Sequence, residues 1–175
     1  MGDPKKIRKK YTPPSHPWQR ARIESEKILV TEYGVKNKKE IWKMDAFLRN
    51  IHSQAKGLIT ATNEQSIQEK QNLLKKLQRY GLINADAIVD QILGLTLHDV
   101  MKRRLQTLVV KKGLAKTVKQ ARQMITHKHI AVGEKKISSP SYLVTLEEEG
   151  VISYAPSSAF SNVEHAERVT MHTKA

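Results

Sequence analysis

The chain has 175 residues, 31 Lys and Arg against 17 Asp and Glu, a formal net charge of +14 and no cysteine. The missing thiols exclude disulfides, thiolate catalysis, zinc ribbons and Cys-ligated iron–sulfur clusters, and the charge surplus points to a polyanionic partner, nucleic acid ahead of an anionic membrane surface. The length suits one ordinary domain or two small ones. No run of about 18 apolar residues is present, so no membrane-spanning helix is expected. The N-terminal residues carry charge without an apolar stretch behind them, which is not the pattern of a signal peptide. Position 6 offers no Ser or Thr for a myristoylation motif, so that anchor is not expected. With no spanning helix and no signal-peptide pattern, an intracellular protein is expected.

In chain order, residues 1–19 read as a basic arm. Lys5, Lys6, Arg8, Lys9 and Lys10 precede Pro13, Pro14 and Pro17, and proline opposes regular structure. Tyr11 and Trp18 are aromatics of a kind rare in solvated tails, so this arm is expected to dock and to become ordered against a partner. A helix is predicted from Arg20 to Tyr33, carrying Arg20 and Arg22 near its start, with Gly34 as its cap. Asn37 and Glu40 form a capping-box pattern ahead of Ile41, Met44, Leu48, Ile51, Ala55 and Leu58, an apolar stripe at spacings of three and four. A third helix follows Thr62, with Gln65 at its capping position, and runs to Tyr80 with Leu74 and Leu77 inward; Gly81 ends it. Asn84 to Leu93 reads as a short helical turn closed by Gly94. Together, residues 20–95 form a helical body.

The next helix is predicted to start at Thr96 with Asp99 and to run unbroken to Gly113. Leu97, Val100, Met101, Leu105, Leu108 and Val109 face inward. A second helix starts at Thr117 with Gln120 and buries Val118, Ala121, Met124 and Ile125. Ile130 to Val132, a turn at Gly133-Glu134 and a return through Lys135 to Ile137 read as a hairpin. Tyr142 to Leu146 is β-prone, Glu147 to Gly150 an acidic turn, and Val151 to Tyr154 a further strand after which the chain is expected to return to the body. The segment after Pro156 reads as polar, with little core content. The predicted fold class is therefore α+β, with a basic arm at 1–19, a helical body at 20–95, a module of two packed helices and a small antiparallel β region at 96–146, and an acidic return segment and polar tail at 147–175.

Charge concentrates where function is expected. Residues 102–136 hold eleven basic side chains and one acidic, Glu134. Lys119 and Arg122 are placed on the outer face of the second module helix, both exposed, with Gln123 beside them. Lys102, Arg103, Arg104, Lys111 and Lys112 gather at the ends of the preceding helix, Lys116 lies in the turn, and Lys135 and Lys136 lie on the hairpin. Such a surface meets many phosphates at once, Arg by a bidentate fork and Lys as a point charge. Thr117, Gln120, Gln123, His127 and His129 can add neutral contacts to sugars or bases. Lys128 completes the set. The seven histidines show no helical spacing of four, so no metal site is expected, and no cofactor.

Arg104-Leu105-Gln106, Gly113 to Thr117, Ala121 to Ile125, His127 to Val132 and Pro140-Ser141-Tyr142 resemble, in order and spacing, the RNA-binding module named after small-subunit ribosomal protein S-four. Tyr33 to Trp42 and Tyr80-Gly81-Leu82 resemble the archaeal form of that protein family, and the resemblance runs over roughly residues 3 to 155. Lys128 stands where relatives often have Gly, Val132-Gly133-Glu134 replaces the Val-Asn-Gly of bacterial relatives, and the metal-binding cysteines of some bacterial relatives are absent. The resemblance implies a structural, non-enzymatic component of the small ribosomal subunit, in the cytoplasm. It implies binding to the five-prime domain of small-subunit ribosomal RNA early in assembly, a place near the path by which messenger RNA enters, an influence on translational accuracy, and a neighbour of the S-five family. No membrane and no homo-oligomer are expected. The alternatives are a helix-turn-helix DNA binder, an RNA-modifying or tRNA-charging enzyme carrying the module as an accessory, and a free ribosome-associated factor. The hairpin is unexplained by the first. The second lacks a nucleotide-binding glycine loop or an acid–base carboxylate pair. The match of the first hundred residues argues against the third.

Overall fold

A computed structural model describes residues 2, 9–61, 63–84, 86–162, 165 and 168. Three helices dominate the first half: α1 (Arg20–Tyr33), α2 (Lys38–Thr60) and α3 (Glu64–Arg79). The short α4 (Val89–Ile92) follows. Helix α1 ends where expected, with Gly34 in the left-handed region at φ 57° and its N–H donated to Val30 O. Glycine is required there twice over, because a Cβ would also stand 3.0 Å from Gln106 Nε2 and from Val118 Cγ1. The stripe read from α2 divides between two cores. Ile41 packs with Leu29, Tyr33, Val35 and Met101, whereas Ile51 and Ala55 pack with Leu73, Leu77 and Ile92.

Two predicted caps differ. Asn37 is the N-cap of α2 but its side chain makes no capping bond: the Glu40 N–H donates to the Asn37 carbonyl at 2.9 Å, and the Glu40 carboxylate that would complete the box is taken by two arginines. Helix α3 is preceded by Asn63 at the cap position, and Gln65 instead donates to Glu69 at 3.1 Å. Thr62 lies outside the described residues.

The helix expected to run unbroken to Gly113 is two helices, α5 (Leu97–Lys102) and α6 (Leu105–Lys111). Thr96 and Asp99 form the capping box at its start, as predicted. The break falls at Arg104, whose backbone is extended (φ −72°, ψ 141°). There it forms an antiparallel bridge with Leu143, and Leu105 N–H donates to Tyr142 O at 2.8 Å. The β-prone run 142–146 thus contributes one bridge and no strand. Helix α7 (Val118–Thr126) then packs on α6. Strands β1 (Ile130–Val132) and β2 (Lys135–Lys136) form the hairpin. Gly133 has φ 59° and Glu134 does not share the positive φ, the pattern of a II′ turn with Gly at its first central position.

Glu147 to Gly150 is a turn of helix, α8 (Leu146–Gly150). Thr145 accepts from Glu148 N–H while Glu148 accepts from Thr145 N–H at 2.9 Å, a capping box that the sequence reading treated as a strand end. Among the described residues, the chain after Val151 joins the module sheet and does not return to the helical body. Strand β3 (Ile152–Tyr154) pairs antiparallel with β1 through Ile130↔Tyr154 and Val132↔Ile152, giving the order β2-β1-β3. The segment after Pro156 also has core content, since Ser158 is buried and Phe160 packs against the module core. That core joins Leu105, Leu108, Val109, Ala121, Ile125, Ile130 and Val144, each at most 1% exposed. Burying each larger side chain stabilises by about 1.5–3 kcal/mol.

Candidate nucleic-acid interface

The outer face of α7 follows from its cap. Thr117 Oγ1 accepts from Gln120 N–H at 3.2 Å, and Gln120 Oε1 accepts from Lys116 N–H at 2.8 Å. This sets the helix phase so that Ala121, Met124 and Ile125 are buried and Lys119, Gln123 and Thr126 are exposed. At the helix end, His127 is the C-cap. Lys128 follows at φ 62°, the left-handed position at which relatives were expected to carry Gly. Both are exposed, as are Lys135 and Lys136 on the hairpin. Lys136 Nζ donates to Ser157 Oγ at 2.6 Å. Among the described residues, Lys119, Lys128 and Lys135 join no ion pair, so their charge is open to an incoming polyanion.

Arg104 and Arg122 lie elsewhere. The expectation that Arg122 is exposed is corrected. Its Nη1 and Nη2 donate to the two Glu40 carboxylate oxygens at 3.2 and 2.7 Å, and Arg104 Nη2 donates to Glu40 Oε2 at 2.6 Å. The Arg122 side chain is 24% exposed and that of Arg104 only 1%. The cause is the break between α5 and α6, which turns Arg104 inward beneath α2. Burial alone pushes the Glu40 carboxyl up, but the bonds from Arg122 and Arg104 outweigh it and hold the carboxyl below its ordinary value. Sequence reading missed Glu40 as a structural acid. Its only visible signal was a capping pattern.

Of the remaining basic residues here, Arg103, Lys111 and Lys112 face the acidic α8, whereas Lys102 pairs within α5. Arg103 donates to Glu149 Oε2 at 2.6 Å and to Val144 O at 3.2 Å. Lys111 Nζ lies 3.9 Å from Glu149 with its side chain 74% exposed. Lys112 donates to Gly150 O and Lys102 lies 3.5 Å from Asp99. Hence Lys102, Lys111 and Lys112 present charge to solvent, while Arg103 holds α8 in place. His129 turns toward the C-terminal segment: its Nδ1 lies 2.9 Å from Ser158 Oγ, and its ring meets Phe160 edge-on at 5.1 Å.

In the arm, Lys5, Lys6 and Arg8 lie outside the described residues. Lys9 and Lys10 are exposed. Tyr11 packs against Trp42 of α2 with the rings tilted by 37° and centroids 5.9 Å apart. Arg20 pairs with Glu24 on the helix surface. Arg22 donates to the buried Glu26 at 2.6 Å and to Pro17 O at 2.7 Å. Trp18 stands 90% exposed.

The S4 domain profile matches residues 103–149, from the end of α5 through α8. Beyond that segment, the chain is 52% identical over 169 residues to small ribosomal subunit protein uS4 of Methanococcus aeolicus, covering 96% of each protein. The chain belongs to the uS4 family. It is also 48% identical to uS4 of Methanococcus maripaludis over 96% of this chain and 95% of that protein. With uS4 of Ignicoccus hospitalis it shares 46% identity over 91% of this chain and 96% of that one. The similarity to archaeal members therefore extends well beyond the S4 domain over nearly the whole chain, as the motif resemblance implied.

Proposed function

We infer that this chain is a structural constituent of the small ribosomal subunit that binds ribosomal RNA without catalysis. The carrying observation is family membership over nearly the full length, joined to a module in which Lys119, Lys128 and Lys135 are exposed and join no ion pair among the described residues. Phosphate neutralisation supplies affinity, and the folded shape of the RNA supplies selection.

At finer grain, the RNA target proposed is the five-prime domain of small-subunit ribosomal RNA, bound early in cytoplasmic assembly. Residues 96–146 act as the gripping module, 20–95 as the body, 1–19 as the arm and 147–175 as an acidic segment that completes the module sheet through β3, followed by the tail. Lys102, Lys111, Lys112, Lys116, Lys119, Lys128, Lys135 and Lys136 meet phosphates, with Thr117, Gln123 and His127 adding neutral contacts. Arg103, Arg104 and Arg122 serve this surface by fixing its parts. A position near incoming messenger RNA and contact with an S-five family neighbour complete the reading. Sedimentation of cell extract tests it: the protein stays with small subunits in near-stoichiometric amount after a high-salt wash. Release into the soluble fraction by that wash would instead mark a free factor.

A further inference from the structure

Trp18 is 90% exposed, yet a relay from the helical body fixes the chain just before it. Trp42 Nε1 donates to Glu26 Oε1 at 2.9 Å, and Arg22 Nη1 donates to the same oxygen at 2.6 Å. Arg22 Nη2 then donates to the carbonyls of His16 and Pro17 at 3.2 and 2.7 Å. Pro13, Pro14 and Pro17 restrict the backbone further. The Glu26 side chain is 8% exposed, so this anchor is sheltered from water. A partly buried charge network thus fixes the backbone next to an exposed ring, which is preorganisation of the segment that carries it. Trp18 and Trp42 both line a cleft of about 420 Å³, within the range of small-ligand clefts.

Charge selects the occupant. Between Asp3 and Glu24 the chain carries seven basic residues and no acidic one, so an anionic ligand with a flat face fits. We propose that Trp18 is a stacking platform for an unpaired RNA base, with the exposed Lys9 and Lys10 of the same arm meeting adjoining phosphates. This deepens the ribosomal RNA reading and rests on it. Stacking on an exposed indole is tolerant of base identity, because every base has a π-face, whereas paired bases have no face free for it.

The chain has two tryptophans, so its intrinsic emission reports the event. The full-length protein is titrated with a single-stranded oligoadenylate and with an RNA duplex of equal length, following emission and, separately, the anisotropy of labelled RNA. The single strand is expected to quench emission saturably and the duplex to leave it unchanged. Trp18→Ala should abolish the quenching and weaken single-strand binding about 5- to 150-fold, with duplex binding and the salt slope unchanged. Trp18→Phe should retain most of the affinity and Trp18→Leu should not. Single-strand binding with unchanged emission, wild-type affinity in Trp18→Ala, or equal affinity in the Leu and Phe variants would overturn the proposal. Quenching by an acidic peptide and not by RNA would assign the site to a protein partner and would also overturn it. Because oligoadenylate carries no ribosomal sequence, loss of the stacking result leaves the preference for ribosomal RNA to be judged separately.

Discussion

Removing the Glu40 carboxylate leaves two guanidiniums facing each other, one of them 1% exposed, with no counter-charge in a site that excludes most water. Breaking a buried pair from one side costs about 3–5 kcal/mol. Glu40→Gln is therefore expected to lower stability by about 3 kcal/mol in urea denaturation, and a loss below about 1 kcal/mol would show that water already screens the site. Arg122→Ala should cost stability for the same reason, so its effect on RNA binding is read only alongside a melting curve. Lys119→Ala is the clean contrast. Its side chain is exposed and unpaired, so stability should hold within about 0.5 kcal/mol, while the slope of log affinity against log salt falls by about one unit. Lys128 combines both roles. At φ 62° a lysine pays a conformational cost that glycine avoids. Lys128→Gly should leave the Tm unchanged or higher and still weaken RNA binding; a lower Tm would show that the lysine side chain supports the fold.

Elements meet at a few fixed points. Leu108 is 1% exposed in the module core, and Leu108→Ala should cost about 2–5 kcal/mol; an unchanged melting point would place it outside that core. Gly34 joins the end of α1 to the module, its carbonyl accepting from Gln106 Nε2 at 3.2 Å while the same nitrogen donates to Val118 O at 2.8 Å. Gly34→Ala therefore meets both a positive φ and a crowded Cβ, and calorimetry should show destabilisation larger than for Ala at the open Gly57. Most helices were legible because their apolar periods and glycine stops are local. The break between α5 and α6 was not. Leu97 to Val109 keeps a helical period through it, and only the distant strand-like bridge to Leu143 and the partner Glu40 define the kink. The Thr145–Glu148 box was present in the sequence but lay inside a β-prone run, so the strand reading prevailed. The basic stripe of α7 was legible for Lys119 and Gln123. It was not for Arg122, because a helix face cannot report that a carboxylate 82 residues earlier sits against it.

Charge organises the whole molecule twice, once inside and once toward its partner. Glu26, Glu40, Asp99, Glu148 and Glu149 all have folded-state carboxyls held below their ordinary values. For Glu26, Glu40 and Glu148, burial acts upward and the hydrogen bonds outweigh it; for Asp99 the Thr96 bond leads, and for Glu149 the Arg103 bond. Depressed carboxyls stabilise the fold above their unfolded values, ordinarily 4.5 for Glu and 3.8 for Asp, and that stability is lost as pH falls through the lower folded values. Urea midpoints should therefore be flat near neutrality and fall below about pH 4.5, with Glu40→Gln showing a shallower acid slope than wild type. Equal slopes would mean Glu40 titrates alike in both states. Outwardly, the surplus of positive charge guarantees attraction to any polyanion, so attraction alone identifies nothing. The decisive measurement is equilibrium binding to the folded five-prime domain of small-subunit ribosomal RNA, to transfer RNA and to duplex DNA across a salt series. Tight binding to the ribosomal fragment that persists at salt where the other two dissociate is the predicted result; equal, steeply salt-sensitive binding to all three would contradict it.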